Sequence, residues 1–376
     1  MNEVPQSWRT QMRSDNELKL GLFGANCSSG RAVTLVEERW SGNWADCKAL
    51  AQLADKVGLE FMLPVGRWKG YGGDTDYQGS TYETITWAAG LAAATDNITC
   101  FGTVHAPMFN PIMAAKNIVT ADHIGNGRFG LNIVCGWNEG EFDMFGIEQR
   151  DHDNRYEYAA EWIEVIKRAW SDADDWNYDG KYLQHRKVRA KPKPFSGSRP
   201  IIMNAGASPN GRAFALKNCD AFFTTTSRIS DDETREKVLA IKDQAASYGR
   251  EIDVYTVGVV TCRPTIKEAQ DYFHHVSVER CDWNAVRDIL AIKDISPETV
   301  GQKAYDEHRI AYASSGMGGT NLIGDPDHVA ETLIGWSKAG LRGVGMSFVN
   351  YLDELPYFAQ EVLPRLEKAG VRMAVQ

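Results

Sequence analysis

The chain has 376 residues, is 43% hydrophobic and carries 34 glycines and a net charge of −9. That length suits two ordinary domains or one large α/β barrel with many tight turns. The acidic balance, with no Lys/Arg cluster to offset it, excludes nucleic acid as an expected partner. No apolar run approaches the roughly 18 residues a membrane span needs, so no membrane partner is expected either.

Residues 1–17 lack the apolar core of a signal peptide and read as an N-terminal arm. Residues 18–25, LKLGLFGA, form a first predicted strand. The loop 26–43 is long for an ordinary connection, and such loops are often functional. Residues 46–57 repeat apolar side chains at helical spacing, Leu50, Leu53, Ala54 and Val57. A second strand, 60–65, opens into the glycine-rich GRWKGYGG, and a helix over 82–94 follows. The third strand, 98–104, ends at Thr103, Val104 and His105, and Pro111 sits in the first turn of a helix over 110–124.

The fourth strand, 129–134, is a buried apolar run containing Asn132, whose amide must be hydrogen-bonded or cost about 1–3 kcal/mol. It breaks into Cys135-Gly136-Trp137-Asn138-Glu139-Gly140-Glu141, a loop of small, aromatic and polar residues. A helix over 152–170 and a polar, basic insertion at about 172–198 follow. Strand five, 200–204, leads to Ser208-Pro209, an N-cap with proline at the first helical position. Strand six (221–225), helix (232–248), strand seven (254–262) and helix (266–276) continue the alternation. A second insertion occupies about 281–319, then a helix (325–339), strand eight (343–349) and a last helix (355–368).

Eight strands alternating with helices predict a parallel sheet closed as a (β/α)8 TIM barrel, one domain over 1–376. An open doubly wound sheet is the competitor, but Asn26-Cys27-Ser28-Ser29-Gly30 is not its G-x-G-x-x-G fingerprint. Seven cysteines without a C-x-x-C pair point to a reducing cytoplasm, with Cys100 and Cys135 as buried hydrophobes. No zinc spacing and no set of strand-end carboxylates appears, so no metal site is predicted.

In a barrel the site lies in the loops after the strands. Gly206-Ala207-Ser208 offers free backbone N–H groups at a helix start, suited to an anion or to plain capping. Arg155 opposes its helix dipole, which suits a phosphate partner or an ordinary surface arginine. His152 reads as an acid/base or as a cap, and Trp68, Tyr71, Trp137 and Phe348 as an aromatic wall or as packing. No nucleophile–base pair stands out, which fits a site where a cofactor carries the reaction.

Five pieces in order, GRWKGYGG at 66–73, NGRFGLNIVCGWNEGEF at 126–142, HDNRY at 152–156, RPIIMNAGAS at 199–208 and TNLIGDP at 320–326, resemble the bacterial-luciferase-like flavin-dependent monooxygenases. Within that family they look closest to the pyrimidine and dimethylsulfone monooxygenases. The resemblance implies a flavin site at Gly66, Arg67, Asn132, Glu141, Arg155, Tyr156 and Ser208. Arg155, Tyr156 and Ser208 would hold the FMN phosphate. It implies a dioxygen pocket at Leu63, Thr103 and Asn132, and an oxygenating flavin peroxide, at N5 if that pocket works as in the pyrimidine enzymes. It further implies reduced FMN from a separate NAD(P)H:flavin reductase, O2, a small organic substrate and a homo-oligomer, dimer or tetramer. Gly66-Arg67, the shorter loop between Glu141 and Arg155, and His105-Ala106-Pro107 depart from the pyrimidine enzymes, so uracil is not carried over as substrate. Two other functions stay open: hydride transfer with a deazaflavin, and flavin binding without catalysis.

Overall fold

A computed structural model describes residues 12, 14–172, 174–226 and 229–374, apart from the side chains of residues 152 and 153. Most of the predicted arm, and any acid/base role of the His152 side chain, lie outside that description. The strands are β1 Lys19–Phe23, β2 Phe61–Leu63, β3 Thr99–His105, β4 Phe129–Val134, β5 Trp176–Asp179, β6 Gln184–Val188, β7 Ile201–Asn204, β8 Ala221–Phe223, β9 Asp253–Cys262, β10 Thr320–Gly324 and β11 Gly343–Ser347. Eight of them pair in parallel in the order β1-β2-β3-β4-β7-β8-β9-β11, and β11 pairs back to β1, closing the barrel. These are the eight strands expected from the sequence. The insertion after the 152–171 helix carries the antiparallel β5–β6 hairpin.

β10 was not foreseen. β9 is ten residues long, pairs with β8 through Asp253–Tyr255 and with β10 through Gly258–Cys262, and runs beside β11 throughout its middle. One edge of β9 thus serves two short strands in succession. The main helices are α1 Trp44–Lys56, α2 Thr84–Ala92, α3 Pro111–Ile124, α4 Glu139–Phe145, α5 His152–Ser171, α6 Pro209–Asn218, α7 Asp231–Ser247 and α8 Ile266–His274. They continue with α9 Trp283–Ile292, α10 Pro297–Val300, α11 Gln302–Ser315, α12 Pro326–Lys338, α13 Tyr351–Glu361 and α14 Leu363–Lys368. The stretch read as a loop after β4 contains α4. The last predicted helix is two, broken at Val362 and starting later than the α13 N-cap Asn350.

Residues alternating along each strand face inward. Phe61, Leu63, Phe101, Met203, Phe223 and Tyr255 fill the barrel as one buried cluster. Phe61 meets Phe101 and Tyr255 edge-on, at centroid distances of 6.1 and 5.9 Å. The bulk of these rings needs glycine opposite. A Cβ on Gly21 would overlap the Phe61 ring, and one on Gly130 the Phe101 ring.

At the N-terminal ends of the strands a buried charge network closes the barrel. Glu60 accepts from Arg372 (2.7 Å), the Leu20 backbone N–H (2.7 Å) and Asn16 (2.5 Å). Lys19 donates to Ser14 and to the Asn16 carbonyl. Burial pushes its ammonium down to about 8, Arg342 adding to the shift and Glu60 opposing it. All seven cysteines are free and buried, and burial pushes the Cys135 thiol up to about 12, far from a thiolate nucleophile at neutral pH. Among the described residues no helix is long and apolar enough to cross a membrane.

Candidate functional site

The opposite, C-terminal ends of β2, β3, β4 and β7 carry the predicted site residues. Thr103 on β3 and Asn132 on β4 are register partners, so both side chains enter the barrel mouth. The Asn132 amide N–H donates to Thr103 Oγ1 (3.2 Å), and Thr103 donates its only hydroxyl proton to the Pro64 carbonyl (2.6 Å). Thr103 must therefore accept from Asn132, which fixes the amide and turns Asn132 Oδ1 away with no partner. Leu63 ends β2 one strand over, inside the aromatic barrel cluster.

The loop after β2 is held by Glu141 of α4. Its Oε1 accepts from Arg67 Nη1 (2.8 Å) and from the backbone N–H groups of Trp68 (2.8 Å) and Lys69 (3.3 Å). Its Oε2 lies 3.8 Å from His105 Nε2. His105 is 4% exposed, and burial above all lowers its pKa to about 4, with Glu141 opposing and Arg67 assisting the shift. The ring is neutral at pH 7. Gly66 is required here: a Cβ would lie 2.8 Å from His105 Cε1 and 3.0 Å from Thr103 Cγ2.

Arg155 of α5 reaches the β4 loop and donates to the Gly136 carbonyl (2.6 Å). Tyr156 lies beside it, its hydroxyl 3.4 Å from Ser208 Oγ. Ser208 is the N-cap of α6 as expected, accepting from Gly211 N–H (3.1 Å). The structure thus brings Gly66, Arg67 and Glu141 into one group, Thr103 and Asn132 into a second, and Arg155, Tyr156 and Ser208 into a third. His105 and the Gly136 turn stand between them.

Of the aromatic wall, only Tyr71 and Trp137 face each other, at 6.5 Å and 18°. Trp68 packs instead on Phe109 and Phe145, and Phe348 lies in the outer core on Tyr351 and Phe358. A cavity of about 620 Å³ opens at the rim beside Lys69, Tyr71, Gly72, Asp76, Asp288 and Ile292, without reaching Thr103 or Asn132.

Sequence reasoning named His105 and Asn138 as strand-end residues without giving either a role, and did not reach Lys293. His105 ends an apolar strand, and its strand-end position was the signal that could have found it. Six buried polar atoms at this mouth have no hydrogen-bond partner among the described residues: Arg67 Nε, Tyr71 Oη, His105 Nδ1, Asn132 Oδ1, Asn138 Nδ2 and Arg155 Nε.

Residues 20–343 match the family model of the luciferase-like monooxygenases. The chain is 30% identical over 358 residues to the FMNH2-dependent dimethylsulfone monooxygenase of Pseudomonas fluorescens, covering 93% of this chain and 95% of that one. It is 27% identical over 365 residues to the pyrimidine monooxygenase RutA of a Bradyrhizobium species, covering 95% and 99%. The crystal structure of DmoA from Hyphomicrobium sulfonivorans superposes with a TM-score of 0.83 at 18% identity, covering 96% and 90%, a likeness of fold. A closed eight-stranded barrel with its polar residues gathered at the strand ends, matched over most of its length, makes this chain a member of the luciferase-like monooxygenase family.

Proposed function

We propose that the chain is a two-component monooxygenase that takes up reduced FMN at the barrel mouth and, with O2, oxygenates a small organic substrate. The observation that carries this is the group of buried polar atoms gathered at the mouth without a partner among the described residues, in a chain that elsewhere leaves only scattered ones such as Trp87 Nε1, Trp176 Nε1 and Arg250 Nε. Each such atom costs about 1–3 kcal/mol if nothing meets it, and native cores seldom leave several together. A polar, ring-bearing ligand would relieve that cost.

The residues fit FMN. Arg155 keeps its Nε free, and Ser208 caps a ten-residue helix whose N-terminus favours an anion, so with Tyr156 they would take the phosphate. Gly66 lets the loop after β2 close on His105 and Thr103, which a side chain there would prevent. Arg67 presents its remaining N–H groups, and Glu141 acts mainly by holding the 66–69 loop in place. Asn132 keeps one N–H and its carbonyl for ring or oxygen, with Thr103 orienting it and Leu63 keeping the apolar side dry. His105, neutral, presents Nδ1 as an acceptor. The flavin, when bound, supplies the electrons and the oxygen-activating ring. The relatives' dependence on FMNH2 supports this assignment, and the reading includes a separate NAD(P)H:flavin reductase and a cytoplasmic setting.

The test is anaerobic titration with reduced FMN, followed by O2 and a panel of N-heterocycles, sulfones and sulfonates, reading 18O incorporation by mass spectrometry. Reduced-FMN binding and a labelled product are expected. Deazaflavin reduction by an alcohol without O2 uptake, or flavin binding without any product, would replace this reading.

A further inference from the structure

Lys293 caps the C-terminus of α9, in the insertion between β9 and β10, and reaches back over the barrel mouth. Its ammonium sits 4.1 Å from the centroid of the Trp137 ring and 5.9 Å from that of Tyr312. The Arg67 guanidinium lies 5.6 Å from the Trp137 centroid and 4.5 Å from that of Tyr71, which is stacked on Tyr77. Two cations thus share one indole, and among the described residues the Lys293 ammonium has neither an ion pair nor a hydrogen bond.

Two ordinary explanations cover part of this. A cation at a helix C-terminus is favoured modestly by the macrodipole, and a cation–π contact adds a similar amount. Neither explains why the side chain turns towards a second cation. Burial first, and Arg67's charge second, hold the Lys293 ammonium below the usual lysine range. Beside Trp137 the mouth holds Arg67 and Lys293, and the buried carboxylate Glu141 already takes Arg67. Asp288 on α9 is engaged by Arg287 at 3.0 Å, and Asp294, next in the chain, is exposed. Lys293 is left without a carboxylate partner among the described residues, with three N–H donors and an indole face beside it.

We propose that the substrate is a small organic monoanion, its sulfonate or carboxylate group held by Lys293 and its carbon skeleton lying along Trp137. The reaction assigned to that substrate rests on the flavin-oxygenase reading; the binding of the anion does not. An arriving anion relieves the repulsion between Lys293 and Arg67 and fills the ammonium's donors. A neutral sulfone or pyrimidine of the same size does neither.

The test is calorimetric titration of the full-length protein, with and without FMN, using matched pairs: ethanesulfonate against ethyl methyl sulfone, and benzenesulfonate against methyl phenyl sulfone. At least one anion of the two pairs is expected to bind about tenfold or more tightly than its neutral partner. Lys293→Met should lose about tenfold in that affinity, Lys293→Arg should restore most of it, and both variants should keep wild-type FMN affinity. Equal binding of charged and neutral partners, no binding of either anion, or unchanged anion affinity in Lys293→Met overturns the proposal. FMN affinity, read on the same samples, reports separately on the cofactor.

Discussion

At the bottom of the barrel Glu60 is surrounded by Arg372, Asn16 and the Leu20 backbone, and none of these polar side chains is left without a partner. At the top Glu141 is held as firmly, by Arg67, Trp68 and Lys69, yet the groups around it keep six buried atoms without a partner among the described residues. Both ends bury charge, which costs several kcal/mol per ion unless matched. The bottom matches it completely within the chain. The top matches only enough to fix the loops, and the proposed ligand would meet the remainder. This is the division a (β/α)8 barrel makes between a stability face and a chemical face.

Breaking the bottom should unfold without touching chemistry. Arg372→Ala leaves Glu60 with an uncompensated buried charge, a loss of about 3–5 kcal/mol. Urea unfolding should show that loss, with reduced-FMN affinity of the folded fraction unchanged. A shifted FMN affinity would mean that the two ends are coupled.

Breaking the top should do the reverse. Asn132→Ala gives up one hydrogen bond, about 0.5–1.5 kcal/mol of stability. The loss in oxygenation should be larger, about 2.7–4 kcal/mol in kcat, with electrons diverted to hydrogen peroxide. Thr103→Ala should follow it, because Thr103 orients the amide. A large fall in melting temperature with product coupling intact would place Asn132 among the bottom-type, structural residues.

His105 tests the comparison by pH. Its folded pKa is about 4 against an ordinary 6.5. The unfolded chain binds a proton between those values and the folded chain does not. Stability present at pH 7 is therefore lost as pH falls from about 6.5 towards 4, on the order of 3 kcal/mol in all. Melting temperatures of wild type and His105→Asn across that range should converge at low pH. Parallel curves would show that His105 is not the group responsible.

The smallest effect is expected at the phosphate end. Arg155→Ala should weaken reduced-FMN binding by roughly ten- to a hundredfold, about 1.5–3 kcal/mol, with the fold intact. Unchanged affinity would leave Arg155 as a brace on the Gly136 carbonyl.

The barrel was legible because its signals are local. β9's apolar run, the Ser208-Pro209 cap and the glycine breaks after β2 and β4 each declare an element within a few residues. β10 was missed because TNLIG is short and only half buried, and α4 because its seven residues follow a glycine-containing turn. The aromatic wall was half right: strand-end position put Tyr71 and Trp137 together, but could not tell them from Trp68 and Phe348, whose rings turn to other clusters.

By itself the sequence determined eight βα units, and the side chains they present at the strand ends, because periods of 2 and 3.6 residues are set by backbone geometry alone. Which of those side chains meet was decided only by closure. Glu141 finds the backbone of Trp68 and Lys69, His105 is buried deep enough to lose its proton, and Lys293 comes from a late insertion to lie on Trp137. Partnership, burial and charge matching are properties of the folded surroundings, and no spacing along the chain encodes them.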